Sequence, residues 1–76
     1  MDREKTAFCA RLRALRGSEA QARAASHVGV SQQTWQRYET GKCEPSLATL
    51  RRICLVFGAT ANWLIGVGGR GPEARP

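Results

Sequence analysis

The sequence has 76 residues, which is enough for one small domain with a modest core. Lysine and arginine total 12 against 6 acidic residues, giving a formal net charge of +6 that favours a polyanionic partner such as nucleic acid. With 42% hydrophobic residues, the chain is expected to fold rather than to stay disordered.

The distribution of reactive side chains argues against metal binding and catalysis. The three cysteines, Cys9, Cys43 and Cys54, form no C-x-x-C pair, and His27 has no second ligand at metal-binding spacing. Their odd number predicts a reducing compartment and no disulfide framework. No nucleophile, base and orienting group occur together, so neither an enzyme nor a cofactor is predicted. The polar start, MDREKTAF, has no signal peptide and no apolar run could span a bilayer, which predicts a cytoplasmic protein without a membrane partner.

The first two predicted helices are separated by a glycine. The first covers about Lys5–Arg16, where apolar side chains recur at helical spacing, and Gly17 ends it. Ser18 and Gln21 have the S-x-x-Q spacing of a capping box, which predicts that the second helix begins near Glu19.

The third predicted helix follows a very short connection. Ser31 is its expected N-cap, and Gly41 ends it. Val30, before the cap, and Trp35, four residues after it, have the spacing of a hydrophobic staple. Because so little chain joins the second and third helices, they must cross steeply. That is the helix-turn-helix arrangement, whose second helix can enter a DNA major groove.

Two further helices complete an all-α fold of five short helices without strands. The fourth has Ser46 as its N-cap, and the fifth has Thr60. The apolar stripe predicted for the fourth helix consists of Leu47, Leu50, Ile53, Cys54 and Phe57. In the fifth, Trp63 and Leu64 are predicted to fold back on the core. The domain is expected to cover residues 1–66, and residues 67–76, rich in glycine and proline, are expected to form a flexible tail.

One face of the third helix is polar and carries no acidic group. A helical wheel puts Trp35 and Tyr38 toward the core. It gathers Gln32, Gln33, Gln36, Arg37 and Thr40 on the opposite face. A glutamine amide matches N7 and N6 of adenine, and a guanidinium group matches O6 and N7 of guanine. From composition alone, this face suits an ordinary solvated helix equally well. The flanking glycine turn, the inward aromatic side chains and the basic net charge favour direct reading of bases, with the positive end of the helix dipole toward the DNA.

Three segments resemble the phage repressor and Cro type of helix-turn-helix domain, also called Xre-like. They are FCARLRALR, QARAASHVGVSQQTWQRYETGK and PSLATLRRICLVFGATANWLIG, in the order and spacing of that family. The resemblance runs from about Phe8 to Gly66 and implies a lambda-repressor-like fold. It implies a sequence-specific, DNA-binding transcriptional regulator, a repressor that reads a palindromic operator as a homodimer. The implied dimer surface lies around the fifth helix, at Ala59 and Trp63.

The resemblance also assigns roles to single residues. Gln32 and Gln33 would read bases, followed one turn later by Arg37, and we add Gln36 from the helical wheel. Gln21 and Lys42 match positions that approach phosphate, and Gln21 would also brace the recognition helix. With Thr40 and Ser31 they form the predicted DNA-backbone set, whose contacts fix register without reading sequence.

The same resemblance predicts an ion pair and some departures from the family. Arg16 and Glu39 match a pair that joins the first helix to the end of the third. Ala20 stands where the family has the cap of the second helix, so Ser18 is expected to cap instead. Ala24 is smaller and Trp35 larger than the family's usual residues, and the two are expected to compensate in core volume.

Two alternative functions stay open at this point. An antitoxin of a toxin–antitoxin pair would share the fold and would bind a toxin protein as well as its own promoter. A protein-binding module that has lost DNA affinity would show acidic or apolar residues on the recognition face, and this face has neither.

Overall fold

The computed structural model describes residues 3–66, and five α-helices make up all the regular secondary structure of that range. They are α1 (Arg3–Arg16), α2 (Gln21–Val28), α3 (Gln32–Thr40), α4 (Leu47–Phe57) and α5 (Ala61–Ile65). The all-α prediction with five short helices is confirmed. The predicted tail at 67–76 lies outside the described residues, so its flexibility stays a prediction.

A single core cluster collects side chains from every helix. Its buried members are Leu12, Ala24, Ala25, Val28, Trp35, Tyr38, Ile53 and Leu64. Trp35 is the largest fully buried side chain, and its ring lies 5.9 Å from that of Phe57 and 6.4 Å from that of Tyr38, measured between ring centroids. Ala24 is fully buried in the same cluster, as expected if its small volume offsets the large indole.

The start of α2 differs from the sequence prediction. The helix begins at Gln21 with Ala20 as its N-cap, and no side chain caps it, so the predicted capping by Ser18 is wrong. The residues before it form a turn in which the Glu19 N–H donates to the Arg16 carbonyl, at 3.2 Å. The Gln21 amide donates to Glu39 instead of reaching back, and this contact to α3 replaces the capping box.

Two apolar residues that were predicted to face the core are exposed. Leu47 is 83% exposed because the buried side of α4 is defined by Thr49 and Ile53, and Leu47 lies on the other side. Trp63 is 43% exposed, since the short α5 buries only Leu64. The predicted caps of these two helices, Ser46 and Thr60, do accept hydrogen bonds from Thr49 N–H and Trp63 N–H.

Candidate nucleic-acid interface

The connection between α2 and α3 is a tight turn centred on Gly29. Its φ of +88° lies in the left-handed region, which favours glycine. The N–H groups of Gly29 and Val30 both donate to the Ala25 carbonyl, at 2.8 and 3.0 Å, and so close the end of α2. The next residue, Ser31, then caps α3 by accepting from the Thr34 N–H at 3.0 Å, as the sequence predicted. The two helices therefore meet in the helix-turn-helix arrangement.

The outward face of α3 is polar, and most of its side chains have no hydrogen-bond partner. Its exposed members are Gln32, Gln33, Gln36, Arg37 and Thr40. Within the described chain, the side chains of the glutamines and of Arg37 make no hydrogen bond or ion pair. Thr40 differs, because its hydroxyl donates to the Gln36 carbonyl at 3.0 Å. The structure thus leaves four long side chains with donors and acceptors available to a ligand.

The inward face of α3 carries a buried glutamate at the centre of a hydrogen-bond network. Glu39 is 2% exposed, and its carboxylate accepts from Arg16 Nε at 2.5 Å and Arg16 Nη2 at 3.0 Å. It also accepts from Gln21 Nε2 at 3.0 Å and from Trp35 Nε1 at 2.6 Å. We call these four residues the Glu39 cluster. Since they belong to α1, α2 and α3, the cluster fixes how α3 packs on the two helices before it.

Charge in the Glu39 cluster is balanced despite burial. Burial alone raises the pKa of the Glu39 carboxyl, but hydrogen bonds from Arg16, Gln21 and Trp35 and the charge of Arg16 outweigh it and hold the pKa below its usual value. The hydrogen bond to Glu39 raises the pKa of Arg16 against the opposing effect of burial. Both partners stay charged at neutral pH, and the carboxylate has the several donors that a buried ion needs.

Two more arginines donate hydrogen bonds to backbone carbonyls at or near α3. Arg13 Nη1 donates to the Glu39 carbonyl, at 2.8 Å, close to the end of α3. Arg52, on α4, donates from Nε to the Val28 carbonyl at 2.9 Å and from Nη2 to the Thr49 hydroxyl at 3.2 Å. The Arg52 contact fastens the turn of the helix-turn-helix to α4.

Sequence reasoning missed the parts played by Trp35 and Arg52. Trp35 was assigned to the core alone, although its four-residue spacing from Glu39 and the need of a buried indole N–H for an acceptor were readable signals. For Arg52 the sequence holds no signal, because its acceptor is a backbone carbonyl of a different helix.

The residues predicted to contact the DNA backbone differ in the hydrogen bonds that their polar groups already make within the protein. Lys42 is exposed and its ammonium group has no partner among residues 3–66, while its backbone N–H donates to the Arg37 carbonyl at 2.9 Å. Gln21 gives one amide hydrogen to Glu39. The Ser31 and Thr40 hydroxyls already donate, to Thr34 Oγ1 and the Gln36 carbonyl. Because phosphate only accepts hydrogen bonds, Lys42 and the second Gln21 hydrogen suit it better than either hydroxyl.

Residues 3–66 contain neither a side-chain cluster suited to a metal ion nor a helix suited to a membrane. Between positions 3 and 66, no three histidine, cysteine, aspartate or glutamate side chains are grouped so that they could hold a metal ion. Over the same part of the chain, no helix has the length and apolar character needed to cross a membrane.

Comparison with known proteins identifies relatives of this domain. The family model described as "Helix-turn-helix domain" matches residues 7–62. The "SPbeta prophage-derived uncharacterized HTH-type transcriptional regulator YonR" of Bacillus subtilis (strain 168) is 35% identical over 60 residues, which cover 76% of this chain and 56% of that protein. The chain thus spans little more than half the length of this curated relative. No solved structure gives a significant match.

Proposed function

Since this chain belongs to the helix-turn-helix domain family, we propose that it is a sequence-specific, DNA-binding transcriptional regulator. Membership confirms the resemblance drawn from the sequence. The observation that carries the function is the outward face of α3, where four long polar side chains have no partner within the described chain. Such a face, on a helix held by a buried ionic cluster, is suited to a groove whose walls present donors and acceptors.

The proposed base contacts follow from the chemistry of each side chain. Gln32 and Gln33, in the first turn of α3, present paired donor and acceptor groups for adenine, and Gln36 lies one turn further on. Arg37 presents two donors for guanine. No acidic residue stands in the first turn of α3, so nothing there offsets the positive end of the helix dipole toward the phosphates.

The proposed backbone contacts flank this face. Lys42, just past the end of α3, would place its ammonium group on a phosphate, and Gln21 would give its second amide hydrogen to another. Ser31 and Thr40 complete the proposed set only if their hydroxyls leave their present acceptors. Because Gln21 also donates to Glu39, a phosphate bound there would be linked directly to the cluster that positions α3.

The chain is further proposed to act as a homodimeric repressor on a palindromic operator. Half-sites in such complexes lie about one helical turn, roughly 34 Å, apart. The dimer surface proposed at α5 rests on the family resemblance, and Trp63, 43% exposed there, is available to it.

The experiment that tests this function is selection of binding sites from random duplexes with the purified protein. The expected result is an enriched two-fold symmetric sequence, bound by two chains and protected over both half-sites. Recovery of no consensus, or affinity that is independent of sequence, would refute specific recognition. One chain on one half-site would refute the palindrome while leaving DNA binding intact.

A further inference from the structure

The outward side of α4 is an apolar surface that the proposed DNA binding does not use. Leu47, Arg51 and Leu55 follow each other at intervals of four residues, so they form one line along the helix. Leu47 is 83% exposed and Leu55 is 73% exposed, while the inward side of the same helix buries Ile53. Two leucines this exposed on the outward line of a helix whose other side is already in the core favour a partner that covers them.

The charge of Arg51 makes this line selective for an acidic occupant. Arg51, between the two leucines, is exposed and makes no hydrogen bond or ion pair within the described range. The neighbouring Arg52 is already engaged with the Val28 carbonyl, and the helix sequence LATLRRICLVF contains no acidic residue. An occupant with a carboxylate opposite Arg51 therefore gains an ion pair that a neutral or basic occupant lacks.

A second copy of the chain and duplex DNA are two other candidate occupants, and both match this line poorly. A second copy, packed around a two-fold axis at the middle of the line, would bring the two Arg51 guanidinium groups together, and like charges repel. Duplex DNA offers phosphates for Arg51, but the largely exposed leucines on either side of it have no matching surface on a phosphate backbone.

We propose that the line Leu47–Arg51–Leu55 is a docking surface for an acidic amphipathic helix of a protein partner. The apolar stripe of that helix would cover the two leucines, and a carboxylate at its edge would pair with Arg51. The surface lies on a different helix from the base-reading face, so the inference does not depend on DNA recognition.

The probe for this surface is a synthetic amphipathic helix of about four turns, with a leucine stripe flanked by glutamates. Titration into isotope-labelled protein is expected to shift backbone amide resonances of α4 in a saturable manner. A matched peptide with lysine in place of glutamate is expected to bind at least about tenfold more weakly, because Arg51 would repel it.

Variants locate the binding on the proposed line. Leu47→Ser and Leu55→Ser are each expected to weaken the acidic peptide about tenfold, since each removes a leucine from the buried contact. Ile65→Ser, at an apolar residue of α5 that is 45% exposed, is the matched control and is expected to bind like the unaltered protein. All three positions are exposed, and the thermal midpoint of each variant verifies that it folds.

The outcomes separate the proposal from its rivals. Equal binding of the acidic and basic peptides, unaltered binding by the two leucine variants, shifts that map away from α4, or no saturable binding would each overturn it. Vesicles of anionic phospholipid provide the last comparison. Preference for those vesicles over the acidic peptide would assign the surface to a lipid partner and would equally overturn a protein partner.

Discussion

On the outward face of α3, Gln32, Gln33 and Arg37 leave their polar groups unpaired within the described chain, whereas on the inward face Glu39 accepts four hydrogen bonds. The same nine-residue helix thus holds polar groups under two opposite conditions. Exposed and unpaired groups cost the fold little and stay available to a ligand. A buried charge is tolerated only when its donors are in place. Substitutions on the two faces should therefore separate folding from binding.

The largest expected effect is on the inward face. Glu39→Ala removes the acceptor shared by Arg16, Gln21 and Trp35, which leaves the buried indole N–H without a partner and the partly buried Arg16 with only the Glu19 carbonyl. The expected loss in free energy of unfolding is about 3–5 kcal/mol. Urea denaturation followed by circular dichroism measures it.

Gln32→Ala is the matched control on the opposite face of the helix. Its side chain has no partner in the described range, so the expected change in unfolding free energy is within about 0.5 kcal/mol. A loss below about 1 kcal/mol for Glu39→Ala would mean that the network contributes little to the fold.

Acid should lower the free energy of unfolding, because it protonates the Glu39 carboxylate on the inward face. The pKa of Glu39 is lowered in the folded protein, so its stabilising contribution is complete above the unfolded pKa, near 4.5. That contribution is lost as pH falls through the lower, folded pKa. The free energy of unfolding of the unaltered protein should drop below about pH 4.5 more steeply than that of Glu39→Gln. Parallel curves for the two proteins would contradict a carboxylate whose folded pKa is lowered.

Substitutions on the outward face should affect binding and spare the fold. Gln32→Ala or Gln33→Ala is expected to cost about 1–3 kcal/mol on the selected operator and to relax base preference at one position. Arg37→Ala should do the same further along the half-site, at a guanine. Binding to operator and scrambled duplex, each measured at two salt concentrations, checks this. Equal losses on both duplexes would make these residues positioning groups instead of base readers.

Features of the fold that depend on neighbouring residues could be predicted from the sequence, and features that depend on tertiary contacts could not. Ser31 as N-cap and the inward Trp35 follow from spacing within one helix, and both were predicted. The start of α2 was mispredicted, because a tertiary contact from Gln21 to Glu39 outweighs the local capping signal. The exposure of Leu47 was missed for a similar reason. Helix periodicity alone does not tell which side of α4 meets the core when both sides are apolar.

The features of the candidate site also differ in whether they could be predicted from the sequence. Exposure of the α3 face could be read from a helical wheel, since it needs only the position of the apolar side chains. The pairing of Arg16 with Glu39 came from family resemblance, because it joins residues far apart in sequence. The Arg52 contact to the Val28 carbonyl could not be predicted, since a backbone acceptor leaves no mark on residue identity.

Two adjacent arginines on α4 repeat, with a smaller expected effect, the contrast between paired and unpaired polar groups on the two faces of α3. Arg52 binds the Val28 carbonyl and the Thr49 hydroxyl, while Arg51 has no partner within the described residues. Arg52→Ala is expected to cost about 1–2 kcal/mol in unfolding free energy. Arg51→Ala, which removes the same charge, is expected to change it by less than about 0.5 kcal/mol. Equal losses in urea denaturation would show that charge, and not the two contacts, decides the effect.

The smallest expected effect belongs to Lys42, whose exposed ammonium group lies past the end of α3. With about four to six phosphate contacts per dimer, log K against log salt should slope at roughly −4 to −5 for the unaltered protein. Lys42→Ala should make that slope shallower by about 1 per half-site, because one fewer phosphate is neutralised there. It should weaken operator and scrambled duplex by similar factors. Loss confined to the operator would place Lys42 among the base-reading residues, and an unchanged salt slope would remove it from the phosphate contacts altogether.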